Sequence, residues 1–341
     1  MRIEIWADVV CGWAHIGKRR LEKALASWEG EPVEVVWRPY QIDPSAPVTA
    51  VPMESLLRDP MVDEALRSCS PGLSPEENRA RVAAVAAEEG LGPQWGSGWR
   101  AGTLEAHRLI ALAYEKGGSG LQDQVVDRIL RAHFVEVRDI SDLTVLTEIA
   151  TETGLAQEAG YTPAPEQETF RADAVRQTLP GAELVRELLL TGKAKGVRTS
   201  PTIVVGDLAL EGAQSPATIR EFLEDASRHT PRRLPAEVTR LRHAESLLDQ
   251  RDPLGALTLL RPLTEEHGAD RGVRMLAARA YFASAQLNRA RTTLASLVAE
   301  APDDSYARHL LGRTLQRQGR HEEAATHLTL AAVMTPDYAT G

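Results

Sequence analysis

The sequence predicts an α/β domain split by a long helical insertion and followed by an all-α repeat region. Three observations carry this. A β-α-β order opens the chain between Arg2 and Tyr40. A β-β-α order returns between Pro201 and Arg228. Beyond about residue 237, small and large residues recur every 34 positions.

Residues 2–8 alternate, with Ile3 and Ile5 on one face, as a half-buried strand does. A helix over 14–28 follows, with Ala14, Lys18, Leu21 and Leu25 at helical spacing. Val33 to Tyr40 is rich in β-branched and aromatic residues and reads as a second strand. Strand, crossover helix and strand make a βαβ unit, so the two strands run parallel. Ile42-Asp-Pro-Ser-Ala-Pro47 then breaks the regular pattern.

From about Pro52 to Lys195 the pattern is helical. Ser74-Pro75-Glu76-Glu77 is a start signal, with Ser as cap, Pro in the first turn and Glu three residues after the cap. That helix runs to Gly90. Gly92 to Gly102 reads as a loop. Leu104 to Lys116 is a helix closed by Gly117-Gly118, and Leu121 to Val137 is another. Ser141 caps a helix ending before Gly154, and further helices cover 167–178 and 182–192.

Pro201 to Val205 and Leu208 to Glu211 read as a hairpin around Gly206-Asp207. Ser215 caps a helix over 216–228. The two outer pieces together predict a thioredoxin fold, with the insertion as a helical lid. The domain reading is 1–50 and 196–230 for its two halves and 51–195 for the lid. Pro231 to Pro235 is a short Pro/Arg linker.

In the tail, Pro302 and Pro336 stand 34 residues apart. Ala256, Ala290 and Ala324 keep that interval, as do Ala244, Ala278 and Gly312. So do Leu247, Tyr281 and Leu315. Small residues where paired helices touch, and a Pro ending the second helix, are the tetratricopeptide pattern. Three repeats follow over 237–338, at 237–270, 271–304 and 305–338. Such a stack presents a groove for a peptide, a partner helix, the chain's own first domain or a second copy in a homodimer.

Composition narrows the function. The chain has 341 residues and a formal net charge of −9, which argues against a general nucleic-acid binder. Up to Thr230 there are 24 Lys and Arg against 35 Asp and Glu; after it, 15 Arg against 13 acids. The acidic balance therefore belongs to the first part. Only five lysines occur, against many arginines, alanines, leucines and glycines, which suggests a bacterial, GC-rich source. The N-terminus shows no signal-peptide pattern, and no apolar run approaches the ~18 residues of a membrane helix. Two cysteines, Cys11 and Cys69, fit a reducing compartment, so the expectation is a cytoplasmic protein. No metal-ligand spacing, P-loop or dinucleotide glycine pattern appears, so neither metal nor nucleotide is expected.

The chemistry centres on Asp8-Val-Val-Cys-Gly-Trp-Ala-His-Ile-Gly17. A cysteine where a strand turns into a helix lies at the positive end of the helix dipole. That placement favours the thiolate, so Cys11 is expected to have a lowered pKa and to act as nucleophile. A dithiol site would put its second cysteine at position 14, which is Ala14. His15, just inside the helix, is the candidate to tune the sulfur. Gly12 and Trp13 would shape the wall beside it.

Asp8 to Arg20 resembles the active-site segment of the DsbA family, in particular its FrnE-like subgroup. That subgroup is also similar to 2-hydroxychromene-2-carboxylate isomerases and kappa-class glutathione transferases. Further matches lie in Leu104-Glu-Ala-His-Arg-Leu109, Asp139-Ile-Ser-Asp142, Gly196-Val-Arg-Thr-Ser-Pro201 and Gly212-Ala-Gln214, so the likeness covers about residues 1–228. The subgroup usually carries Cys-Pro-Trp-Cys where this chain has Cys11-Gly12-Trp13-Ala14. An exchangeable disulfide needs a resolving thiol, and Cys69 is the one other sulfhydryl in the chain. The resemblance implies a cis-proline at Pro201 opposite Cys11, with Thr199 and Ser200 offering hydroxyls near the sulfur. It also implies a lid segment in which His107 and Arg108 meet substrate, Arg108 through a carboxylate.

Two functions follow from these readings. One is a thiol-dependent oxidoreductase or isomerase using Cys11 alone, with a glutathione- or mycothiol-type thiol and a small-molecule substrate. The other is a redox-inactive binding module or holdase that uses the repeats and the proline groove to hold proteins.

Overall fold

The computed structural model describes residues 1–56, 72–158, 182–229 and 234–340. The helix expected over 167–178, most of the Pro/Arg linker, and Cys69 lie outside the described residues. The chain divides into two compact units. The first is Met1–Gly192 with Val197–Arg232; the second is Lys193–Gly196 with Arg233–Gly341.

The first unit is built on a four-stranded sheet. Its strands are β1 (Arg2–Ala7), β2 (Glu34–Pro39), β5 (Thr202–Val205) and β6 (Leu208–Glu211), in the order β2-β1-β5-β6. β1 runs parallel to β2, joined by α1 (Gly12–Ala26), and antiparallel to β5. The β5–β6 hairpin is closed by α8 (Pro216–Arg228), whose N-cap Ser215 accepts the Thr218 amide. Ile3 and Ile5 bury one face of β1 in the main core, while Trp6 packs on the other face with Val197 and Val204. This is the thioredoxin topology expected from the β-α-β and β-β-α pieces.

The insertion differs from expectation in two places. It is not wholly helical: β3 (Val51–Pro52) pairs antiparallel with β4 (Trp99–Arg100), inside the stretch read as a loop. Two-residue strands are too short to leave a periodic pattern. α2 (Met53–Leu56) follows β3, and α3 (Pro75–Glu88) starts with the expected capping box between Ser74 and Glu77. As expected, separate helices lie on either side of Gly117-Gly118, where the backbone is not helical; the two arms together make up α4 (Leu104–Phe134). The kink lies at those glycines, and Gly118 takes φ 65°. Next come α5 (Leu143–Glu152), α6 (Leu155–Glu158) and α7 (Ala182–Ala194). The cap of α5 is Asp142, whose carboxylate accepts the Thr144 amide, and not Ser141. Ser141 instead gives its hydroxyl to Asp139.

The second unit holds three helix pairs: α9 (Ala236–Asp249) with α10 (Pro253–Glu266), α11 (Arg271–Ala283) with α12 (Leu287–Glu300), and α13 (Ser305–Arg317) with α14 (His321–Met334). The small positions of the 34-residue interval are where the helices meet. Ala244, Ala256, Ala278, Ala290 and Ala324 are all buried. Gly312 has room for hydrogen only, since a Cβ there would lie 2.7 Å from Leu328. The interval also repeats the caps: Asp270 and Asp304 each accept an amide at the start of α11 and α13.

Candidate functional site

Cys11 is the N-cap residue of α1, and its side chain takes no capping hydrogen bond. The first turn of the helix begins at Gly12, so Gly12, Trp13, Ala14 and His15 follow the sulfur directly. The peptide bond between Ser200 and Pro201 is cis, as the resemblance implied. Across the cleft, the Cys11 Sγ–H donates to the Ser200 carbonyl at 3.2 Å. Chain segments 189 residues apart thus meet at one sulfur. Gly17 makes the approach possible, because a Cβ there would stand 3.0 Å from Pro201.

The electrostatics reverse the expectation for Cys11. The residue is only 6% exposed. Burial pushes its pKa up, and the Asp8 carboxylate adds to the rise. The Ala14 and Trp13 amides pull the other way, as a helix start should, but they do not prevail. A charge leaving water loses more than a few oriented amides return. The resting sulfur is therefore a thiol.

Part of the cover comes from the lid. Trp95 lies so close to the first turn of α1 that a Cβ on Gly12 would be 2.7 Å from its ring. Its indole N–H donates to His15 Nδ1 at 3.2 Å, and its ring stacks on Phe134. His15 is buried, and burial lowers its pKa to about 4. The ring is therefore neutral near pH 7, with Nδ1 accepting from Trp95 and the proton on Nε2. Its observed hydrogen bond goes to Trp95 rather than to the sulfur. Trp13 is half-buried, with the Arg81 guanidinium 5.8 Å above its ring. Ala14 is buried at the position where a resolving cysteine would stand.

The hydroxyls expected beside the sulfur point elsewhere. Ser200 Oγ accepts the Asp8 amide at 2.9 Å, so this residue meets Cys11 through its carbonyl. Thr199 is exposed and its hydroxyl shares a hydrogen bond with that of Thr202. In the lid, Arg108 is buried and pairs with Glu105 at 2.8 Å, one turn earlier. That contact takes up part of the guanidinium expected to meet a substrate carboxylate.

His107 leads to a residue the sequence reading did not single out. Its Nε2 lies 2.9 Å from the Tyr40 carbonyl and 3.4 Å from Asp8 Oδ1. Asp8 is 1% exposed, and its Oδ2 accepts the Ile42 amide at 2.7 Å. Asp8 thus ties together the strand end, the cysteine turn, the loop after β2 and the lid helix. An acidic residue three positions before the cysteine was the available signal; its burial depends on α4, far off in sequence.

Known families match both units of the chain. The DSBA-like thioredoxin domain matches residues 2–224, and a tetratricopeptide repeat matches residues 247–314. The Bacillus subtilis protein YwbO is 25% identical over 229 residues, 66% of this chain and 96% of its own length. A probable DsbA oxidoreductase from Streptomyces coelicolor is 27% identical with a TM-score of 0.52, over 69% of this chain and 94% of that one. The cytosolic disulfide reductase DsbM of Pseudomonas aeruginosa is 20% identical with a TM-score of 0.41, over 67% and 99% of the two chains. Among the described residues, no helix is long and apolar enough to cross a membrane.

Proposed function

The chain belongs to the DSBA-like thioredoxin-domain family, and from that premise we propose that it is a thiol-dependent oxidoreductase, or an isomerase, whose reacting sulfur is Cys11. The observation that carries this is the Cys11 sulfur set 3.2 Å from the Ser200 carbonyl, beside the cis-proline. With Ala14 behind it, Cys11 works as a single thiol. It loses its proton and attacks one sulfur of a disulfide; that S–S bond breaks, and the departing sulfur takes up a proton. A second thiol, of the glutathione or mycothiol type, then attacks the mixed disulfide and restores Cys11. The lid would close over a small substrate, and Gly12, Trp13, Pro201 and His107 would border it. The repeats would hold a protein partner or peptide, and two cysteines in the chain suit a reducing cytoplasm.

The test is mass spectrometry after incubation with glutathione disulfide. One glutathionyl adduct is expected on the Cys11 peptide, reversed by dithiothreitol and absent from Cys11→Ser. No adduct on Cys11 would reject the reading.

A second reading draws on the burial of Cys11 and its raised pKa. Both suit a redox-inactive module that binds clients through the groove and the repeats. Suppression of client aggregation without any reduction of insulin disulfides would favour it; insulin reduction that depends on Cys11 would exclude it.

A further inference from the structure

The repeats keep their core positions at a fixed interval but leave the residues on their turns free to differ. One cleft on the second unit uses that freedom. It lies where the α11–α12 turn meets the α13–α14 turn, and its volume is about 470 Å³. Ala285, Leu287, Asn288, Arg291, Gln318 and Arg320 line it. Its size falls within the ~300–1,000 Å³ of ligand pockets. One interval earlier, Asn288, Arg291, Gln318 and Arg320 have Leu254, Leu257, Ser284 and Gln286 as counterparts. The chemistry of the cleft therefore belongs to this junction and is no product of the repeat.

Its charge is one-sided. Arg291 is half-buried, and among the described residues no hydrogen bond or ion pair holds its guanidinium. A cation drawn partly out of water with no acid beside it is costly. Arg289, next to Asn288, donates to Gln286 Oε1 at 3.0 Å and lies 5.3 Å over the Tyr281 ring. Arg317, next to Gln318, donates to the Phe282 carbonyl at 2.7 Å and lies 4.6 Å over the Phe282 ring. Of these four arginines, Arg320 is the one with a carboxylate among the described residues, Glu323 at 2.6 Å. Glu322 stands exposed in the first turn of α14. The cleft also holds an unsatisfied acceptor. Gln318 Nε2 donates to Asn288 Oδ1 at 2.9 Å, which leaves Gln318 Oε1 buried with no hydrogen-bond partner. The last torsion of a glutamine is soft, so a donor in the cleft can draw that oxygen round.

We propose that this cleft binds an acidic peptide segment of a protein partner. A glutamate or aspartate of the peptide meets the fork of Arg291, and a main-chain N–H of the peptide meets Gln318 Oε1. Charges of one sign around a concave surface focus their field on it. A nucleic acid fits less well. Its phosphodiester backbone brings no N–H donor, and guanidiniums already cover the Tyr281 and Phe282 rings on which bases would stack. The proposal deepens the reading that the repeats hold a partner, on which it rests, and does not depend on Cys11.

The experiment is fluorescence anisotropy of the full chain with a fluorescein-labelled peptide of alternating glutamate and glycine, beside the same peptide with glutamine for glutamate. The acidic peptide should bind and the glutamine peptide should not. Arg291→Gln should weaken binding about tenfold, the loss of one charge-assisted pair, and Arg291→Lys should weaken it less. Arg242→Ala removes an exposed arginine of α9, outside the cleft, and should leave the affinity unchanged. No binding of the acidic peptide overturns the proposal, as do equal losses in Arg291→Gln and Arg242→Ala. Tighter binding of labelled oligothymidylate, lost in Arg291→Gln, overturns it in favour of a nucleic acid. Equal binding of both peptides overturns it while leaving the repeats a partner-holding surface. Should Arg291→Gln fail to fold, the parent protein decides: the acidic peptide should protect Arg291 from phenylglyoxal, read by peptide mass spectrometry, and an unprotected Arg291 overturns the proposal. None of these readouts uses the Cys11 thiol, so the result stays separate from that of the glutathionyl adduct.

Discussion

The two units carry their structures in the chain in different ways. In the repeats, each contact that matters lies one helix or one interval away: Ala278, Ala290 and Leu294 share a cluster with Ala307, Leu310 and Ala324. In the first unit, the contact that matters joins Cys11 to Ser200 across 189 residues, under a lid inserted between them. Local packing repeats and can be read by its period; a long-range junction has no period. Motif and position are local properties, whereas charge state is a property of whatever closes over them.

The largest effect should come from opening a cavity in the repeats. Leu297 is fully buried, so Leu297→Ala should cost about 2–5 kcal/mol, seen as a lower unfolding temperature for the second unit in calorimetry. A negligible loss would contradict the view that buried contacts between neighbouring helices hold this unit together.

Acid should separate the units next. His15 and His133 in the first unit each have a folded pKa near 4 against an ordinary 6.5. The unfolded rings therefore bind protons first, so the stability these residues contribute is full above about 6.5 and is lost as the pH falls toward 4. The second unit's His309 and His327 are lowered in the same sense but are less deeply buried. Calorimetry at pH 7 and pH 5 should show the first unit losing more; equal losses would contradict the burial of His15 and His133.

Gly17→Val tests the junction itself. Its side chain would press on Pro201, at a cost of about 1–3 kcal/mol, and should move the proline loop off the sulfur. Faster alkylation of Cys11 is expected in that variant; unchanged alkylation would show that the proline loop does not cover the sulfur. Ser215→Ala should cost only about 1 kcal/mol, through loss of the cap on α8, by urea titration of the first unit.

Much of the fold was legible because caps, hairpins and intervals are written locally. Ser74, Ser215 and Gly206-Asp207 each mark an element boundary that the structure has. Ser141 and Asp142 are both capping residue types, and only the turn around Asp139 decides between them. The place of Cys11 and the proline opposite it were legible too. The state of the sulfur was not. The helix dipole is visible from sequence, but Trp95 over Gly12 and Asp8 against His107 are products of the lid. The same holds for Thr199, whose hydroxyl is drawn to Thr202 by the hairpin start.

The central claim is that Cys11 rests as a buried thiol facing the proline loop, and one titration tests it. The rate of Cys11 alkylation, followed from pH 5 to pH 10 with Cys69 replaced by Ser, should rise with a midpoint above the ~8.5 of an ordinary thiol. A midpoint below pH 7 would mean that the helix start prevails over burial, and would contradict the account.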